Sequence, residues 1–182
     1  MNTERDAARF LAFLVSVVAH SVLATCDRLR TSCGFIHGKR LRGIGYNGSV
    51  SGEPHCDDVG HWMTPDGHCV RTRHGEKNGI SNTDRQYLPG SETIIIATPC
   101  IDCVKDQIEE GVKKINYVGS YDNAKGKEFI AEMAERRGVV MNQFEVDWCE
   151  VFQKLFDLLA RKGGVLHRSG YRLKVTKEPF EK

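Results

Sequence analysis

His74-Gly75-Glu76 and Pro99-Cys100-Ile101-Asp102-Cys103 constrain this chain more than any other feature. One imidazole and two thiolates can hold a zinc ion by three protein ligands. That leaves the fourth position open for water, as a catalytic zinc requires. Cys-x-x-Cys at a helix start directs both sulfurs toward one point, and a helix N-terminus favours thiolates. Residues 74 and 100 are therefore expected to open two helices whose starts meet at one ion. Glu76 sits two residues from His74, close enough to handle protons beside the bound water.

The chemistry follows from the donor set. Zinc lowers the pKa of a bound water toward about 7 and so supplies hydroxide at neutral pH. Hydroxide attacks a carbon that carries an exocyclic amine. Glu76 would take the water proton, protonate the ring nitrogen and deliver a proton to the departing ammonia. General acid–base help of this kind is worth roughly 100- to 10,000-fold. Each half of the pattern is weak alone: Cys-x-x-Cys also builds structural knuckles and redox pairs, and His-x-Glu is common by chance. Together, with Pro99 and a strand–helix pattern around both, they match the signature of zinc nucleobase deaminases.

A chain of 182 residues is enough for one well-cored domain. Hydrophobic residues make up 40% and charged residues 27%, a soluble globular profile. A formal charge of +2 and 8% aromatics do not suggest a groove for a nucleic-acid polymer. Seven cysteines in metal-like spacing point to a reducing compartment, the cytoplasm. Residues 10–18 are apolar enough to raise a signal peptide, but Glu4 and Asp6 precede them, and Arg9, His20 and Asp27 interrupt. The run is too short to span a bilayer, so a buried amphipathic first helix is expected and no membrane partner.

Ala7, Phe10, Leu11, Leu14, Val18 and Val22 recur at helical spacing and predict a helix over 3–24. Residues 33–37 and 40–46 read as two strands across a turn at Gly38. Residues 47–73 lack periodicity, and so long a structureless loop is usually functional or tied down. Further on come a short helix at 74–82, a buried strand at 92–98 and a helix at 100–111. A strand at 115–118, a helix at 124–137, a strand at 139–144 and an amphipathic helix at 149–161 follow. The alternation points to an α/β sheet with helices on both faces. Residues 1–164 are expected to form the deaminase domain, with 165–182 a basic tail, hairpin or arm.

At Gly45-Tyr46-Asn47-Gly48-Ser49, His55-Cys56-Asp57, Gly67-His68-Cys69-Val70-Arg71-Thr72, the two zinc motifs and Tyr121-Asp122-Asn123, the chain resembles the deoxycytidylate (dCMP) deaminases, especially those of bacteria and phages. The resemblance covers roughly residues 8 to 140. It implies hydrolysis of dCMP to dUMP and ammonia on a three-layer α/β/α sandwich around a five-stranded mixed sheet. It also implies a homohexamer controlled by dCTP and by dTTP with Mg2+. By position, Asn47 would contact the sugar or its phosphate, the Gly75 N–H would hold the pyrimidine carbonyl, and Tyr121 would approach the nucleotide end. Unaided, Asn47 before Gly48 reads as a turn residue, and Tyr121 equally well as a surface or interface residue.

Cys26, Cys56, His61 and Cys69 carry the remaining soft-ligand chemistry of this region. Related deaminases are similar in carrying a second, structural zinc in this loop, and four protein ligands would close its tetrahedron. His55 and His68 are rival ligands, and Cys33 and Cys149 read as core cysteines. Four departures from the resemblance bear on substrate: Gly75 and Gly79 stand where relatives carry Ala, Thr31-Ser32-Cys33 where they carry Val-Gly-Ala, and Ile96-Ala97-Thr98 where they carry a Thr and a bulkier apolar residue. A modified dCMP, another cytosine nucleoside or nucleotide, or a non-catalytic zinc-stabilised regulatory module are the competing readings.

Overall fold

Gly38 and Lys39 both adopt positive φ, +58° and +61°, the backbone a two-residue I′ hairpin turn requires. They join β1 (Ser32–His37) to β2 (Arg40–Tyr46) as an antiparallel pair in this computed structural model, which describes residues 3–119 and 124–178. β1 also pairs antiparallel with β5 (Glu92–Ile95); β5, β6 (Lys114–Val118) and β7 (Val140–Phe144) are parallel. The result is a five-stranded mixed sheet of order β2-β1-β5-β6-β7 flanked by helices, as expected. A two-stranded ribbon of β3 (Gly48–Ser49) and β4 (Thr72–Arg73) bridges the ends of the long loop.

The period-2 alternation of a strand sends β1 side chains to opposite faces. Phe35 faces α3 (Gly75–Asn82), whereas Gly34 faces Val17 of α1 (Thr3–His20), and Ser32 donates to the Val17 carbonyl at 2.5 Å. On the α3 side, Val104 and Ile108 of α4 (Ile101–Glu109) and Ile130 and Ala134 of α5 (Lys127–Arg136) pack with Phe35, Ile95 and Ile115 into one buried cluster. A buried polar chain fixes α4 to the sheet: Thr93 Oγ1 donates to Gln107 Oε1 at 2.9 Å, and Gln107 Nε2 to the Cys103 carbonyl at 3.1 Å.

Gly79 has a packing reason. A Cβ there would lie 2.6 Å from Phe35 Cε2, so the ring of Phe35 occupies the space an alanine methyl needs. At Gly75 the nearest atoms would be 3.2 to 3.4 Å away, which a few tenths of an ångström relieve. Gly79→Ala is therefore expected to cost about 1–3 kcal/mol through overpacking, although Ala is the better helix former. Gly75→Ala should be near neutral. Thermal unfolding checks both: Gly79→Ala should melt several degrees lower, and an unchanged melting point would remove the packing argument.

The chain divides into two compact units, residues 16–145 and residues 1–15 with 146–182. The first contains the sheet and both clusters described below. The second contains α6 (Trp148–Leu159), capped by Asp147, whose carboxylate accepts from the Cys149 and Glu150 N–H groups. The segment expected as a basic tail, hairpin or arm contains α7 (Val165–Ser169) followed, among the described residues, by a stretch with no regular structure. That stretch is held by Lys177 on Asp147 (2.7 Å) and by the Val175 N–H donating to Gln153 (2.9 Å). The expected boundary at residue 164 falls inside this unit.

Two sequence expectations are corrected. Glu4–Leu23 is long and apolar enough to cross a membrane by length and composition, with mean hydropathy 1.6, because the helical stretch reaches beyond residues 10–18 at both ends. Its buried residues are Leu11, Leu14 and Val17, while Phe10 and Val22 are exposed. Cys33 is fully buried; Cys149 is only half-buried.

Candidate active site

Both zinc motifs lie at helix starts. His74 is the N-cap of α3 and Cys100 the N-cap of α4, each with extended backbone that turns its side chain toward the other helix. His74 Nδ1 lies 3.3 Å from Cys103 Sγ and 3.5 Å from Cys100 Sγ, and the three donor atoms all fall within 4.8 Å of one another. Zinc bound tetrahedrally, with Zn–N near 2.0–2.1 Å and Zn–S near 2.3 Å, needs N···S separations of about 3.5 Å. The residues fit that ion. Cys100 is pulled down to about 4 by its hydrogen bond with Cys103 and by His74, against the effect of burial. Cys103 is pushed far up by the same bond, then by burial and Glu76. The trio thus holds a thiolate ready for a cation.

Glu76, 5% exposed, stands on the first turn of α3 and lines the same cavity as His74 and Cys100. Burial raises its carboxyl above the ordinary value, with His74 opposing. A carboxyl so placed takes up a proton more readily than one in water, as a proton shuttle must. The cavity is about 400 Å³, room for a small ligand.

Asn47 is buried and lines the cavity, but its amide is already engaged. Its Oδ1 accepts from the Gly75 N–H at 2.7 Å, and its Nδ2 donates to the Leu29 carbonyl at 3.1 Å. Asn47 therefore caps α3 from outside the helix. The Gly75 N–H expected to hold a pyrimidine carbonyl has Asn47 as its partner instead. Tyr121 lies outside the described residues. Thr31 lines the cavity, but its hydroxyl donates to the Ile96 carbonyl at 2.6 Å, so this departure from the family pattern presents no new donor.

The second group also converges. Donor atoms of Cys26, Cys56, His61 and Cys69 lie within 4.8 Å of one another, with Cys26 Sγ 3.7 Å from His61 Nδ1 and Cys56 Sγ 3.7 Å from Cys69 Sγ. These spacings suit a closed tetrahedral zinc site. Burial pushes Cys56 up to about 11. Burial works against Cys69 too, but hydrogen bonds from the Arg71 backbone, His61 and Cys56 bring it down to about 6. The rival ligands His55 and His68 are not part of this converging group, and His55 Nδ1 pairs instead with Thr25 Oγ1 at 3.0 Å. Sequence reasoning missed Asp27, whose Oδ1 lies 2.9 Å from His61 Nε2. It also missed Arg28 and Lys125, which line the cavity.

Residues 4–119 match the family model described as the cytidine and deoxycytidylate deaminase zinc-binding region. The chain belongs to this family. Over 126 residues it is 37% identical to ComE operon protein 2 of Bacillus subtilis, covering 68% of this chain and 65% of that relative's length. It is 25% identical to the deoxycytidylate deaminase of Mycobacterium phage D29 over 58% of this chain and 90% of the relative. The fold is similar to that of the cyanophage S-TIM5 dCMP deaminase, solved with dCMP and dUMP. That match has a TM-score of 0.61 and 22% identity, over 79% of this chain and 99% of the other.

Proposed function

We propose that this protein deaminates dCMP hydrolytically to dUMP and ammonia. The observation that carries this reading is the clustering of the His74, Cys100 and Cys103 donor atoms where His74, Cys100 and the buried Glu76 line one cavity. His74, Cys100 and Cys103 would hold zinc. When bound, zinc supplies Lewis acidity and lowers the pKa of a coordinated water. The Glu76 carboxylate takes one proton of the attacking water and passes it to ring N3; it then takes the second from the C4 hydroxyl and delivers it to the amine, so C4=O forms as the C4–N bond breaks and one ammonia leaves. Asn47, bonded to the Gly75 N–H, fixes the start of α3 and with it the placement of His74 and Glu76. A scaffold without catalysis has no use for a buried carboxyl at this position.

Arg28, Arg73, Lys77 and Lys125 line the same cavity. Lys77 is paired with Asp106 at 3.1 Å and Lys125 with Asp102 at 3.6 Å, while Arg28 donates to the Gly67 carbonyl at 2.8 Å. Cations around one small space suit a phosphate, which supports a nucleotide over a nucleoside. Cys26, Cys56, His61 and Cys69 would hold a second, structural zinc, giving two per subunit. Two thiolate sites favour a reducing compartment, the cytoplasm. Hexameric assembly and control by dCTP and dTTP follow from the family resemblance.

Ultraviolet absorbance loss with dCMP, a 5-substituted dCMP, CMP, deoxycytidine and dCTP tests the substrate. Zinc-replete protein is expected to turn over dCMP with kcat/KM on the order of 100-fold above deoxycytidine, about two charge-assisted hydrogen bonds' worth. Turnover of no cytosine compound would defeat the reading. Preference for the nucleoside would defeat the phosphate assignment.

A further inference from the structure

His61 is gripped at both ring nitrogens. Cys26 Sγ lies 3.7 Å from Nδ1, and Asp27 Oδ1 lies 2.9 Å from Nε2. Cys26 and Asp27 are consecutive, and the Leu29 N–H donating to the Cys26 carbonyl at 3.2 Å closes the turn that presents both. His61 lies between α2 (Cys56–Val59) and the isolated bridge of Met63 with Cys69, so no helix or strand hydrogen bond fixes its backbone. Its ring orientation must come from its own contacts.

We infer that Asp27 is the positioning residue for His61, accepting from Nε2–H and thereby turning the Nδ1 lone pair onto the metal of the second cluster. This rests on the reading of Cys26, Cys56, His61 and Cys69 as a second zinc site. A neutral imidazole donates to a metal through one nitrogen only when the other carries the proton, and a carboxylate on that second nitrogen selects the tautomer. The nearby cation does not compete for Asp27: Arg30 is held by both oxygens of Asp57, at 2.9 and 3.1 Å. Asp27 is itself 69% exposed and His61 25%. As a plain surface ion pair the contact would contribute little. As the orienting bond of a metal ligand it governs an ion's affinity.

The placement also bears on the substrate cavity. Thr64, Asp66, His68 and Val70 line it; the first three lie between His61 and Cys69, which would be tied to Cys26 and Cys56, and Val70 follows Cys69 directly. Asp27 is outside that lining. It acts on the second metal and through it on the wall.

The test uses the full-length zinc-loaded protein, Asp27→Ala and Asp27→Asn, titrated with a chromophoric zinc chelator. Cys56→Ser identifies which zinc belongs to the second cluster. Asp27→Ala should weaken that zinc 10- to 100-fold and leave the other unchanged. Asp27→Asn, whose side-chain oxygen still accepts from Nε2–H, should recover most of the loss. Two-bond 15N–1H spectra should find His61 as the Nε2–H tautomer in the parent and in Asp27→Asn. Wild-type affinity in Asp27→Ala would overturn the inference and leave a surface ion pair. Asp27→Asn no better than Asp27→Ala would overturn the hydrogen-bond role. A parent protein binding one zinc would defeat the two-zinc reading itself. That failure is visible before any variant is compared.

Discussion

Glu76→Gln is expected to retain zinc at His74, Cys100 and Cys103 and to lower kcat for dCMP by about 10²- to 10⁴-fold. That range is the usual worth of a positioned general acid–base group. It corresponds to about 3–5 kcal/mol of barrier. Gln keeps the shape and fills the same buried volume, but it cannot take up a proton from water or return one to ring N3. Glu76 is 5% exposed, and burial is the largest cause of its raised carboxyl. Ionising it there opposes folding, so the amide should not lower the melting temperature. Three readouts separate the explanations: metal content, thermal unfolding and turnover. Undiminished turnover with full zinc would remove Glu76 from the proton path. Lost zinc or a lower melting temperature would make the loss structural.

What the sequence made legible follows from spacing. His74, Cys100 and Cys103 could be read because ligand geometry dictates Cys-x-x-Cys at a helix start, and α3 and α4 do begin there. The sheet was legible because β5 and β6 are buried, β-branched runs, and because Gly38 marks a turn between two apolar segments. Contacts between segments distant in sequence were not legible. No pattern links Asn47 to the Gly75 N–H, Phe35 to Gly79, or Asp27 to His61, since each pair is joined by the tertiary fold and not by local spacing. The tail reads in sequence as a hairpin or an arm, and its anchoring was not legible for a different reason. Its short apolar alternation around Tyr171 and Leu173 suits a strand, but the described chain gives it no strand partner and side-chain anchors on α6 hold it instead. At α1 the apolar stripe was right in kind but rotated, with Val17 buried rather than Val22.

Cys56→Ser should have the larger structural effect: one zinc lost, a lower melting temperature, and a KM for dCMP raised more than tenfold with a smaller change in kcat. Residues 50–71 contain one four-residue helix and one isolated bridge between Met63 and Cys69. Fixing backbone costs roughly 1–2 kcal/mol per residue, and so little regular structure cannot offset that over the whole loop. A metal held by Cys26, Cys56, His61 and Cys69 would, because structural zinc binding contributes directly to folding. Cys56 is the informative choice. It is buried, and it does not line the cavity, whereas Cys69 does. A KM effect from Cys56 must therefore travel through the loop to Thr64, Asp66, His68 and Val70 at the cavity wall. Serine keeps a hydroxyl partner for Thr72 Oγ1, which lies 3.2 Å from Cys56 Sγ, so loss of that contact does not confuse the result. Cys149→Ser is the control, since Cys149 belongs to neither cluster. Two zinc ions and an unchanged KM in Cys56→Ser would mean that the loop holds the cavity wall without metal.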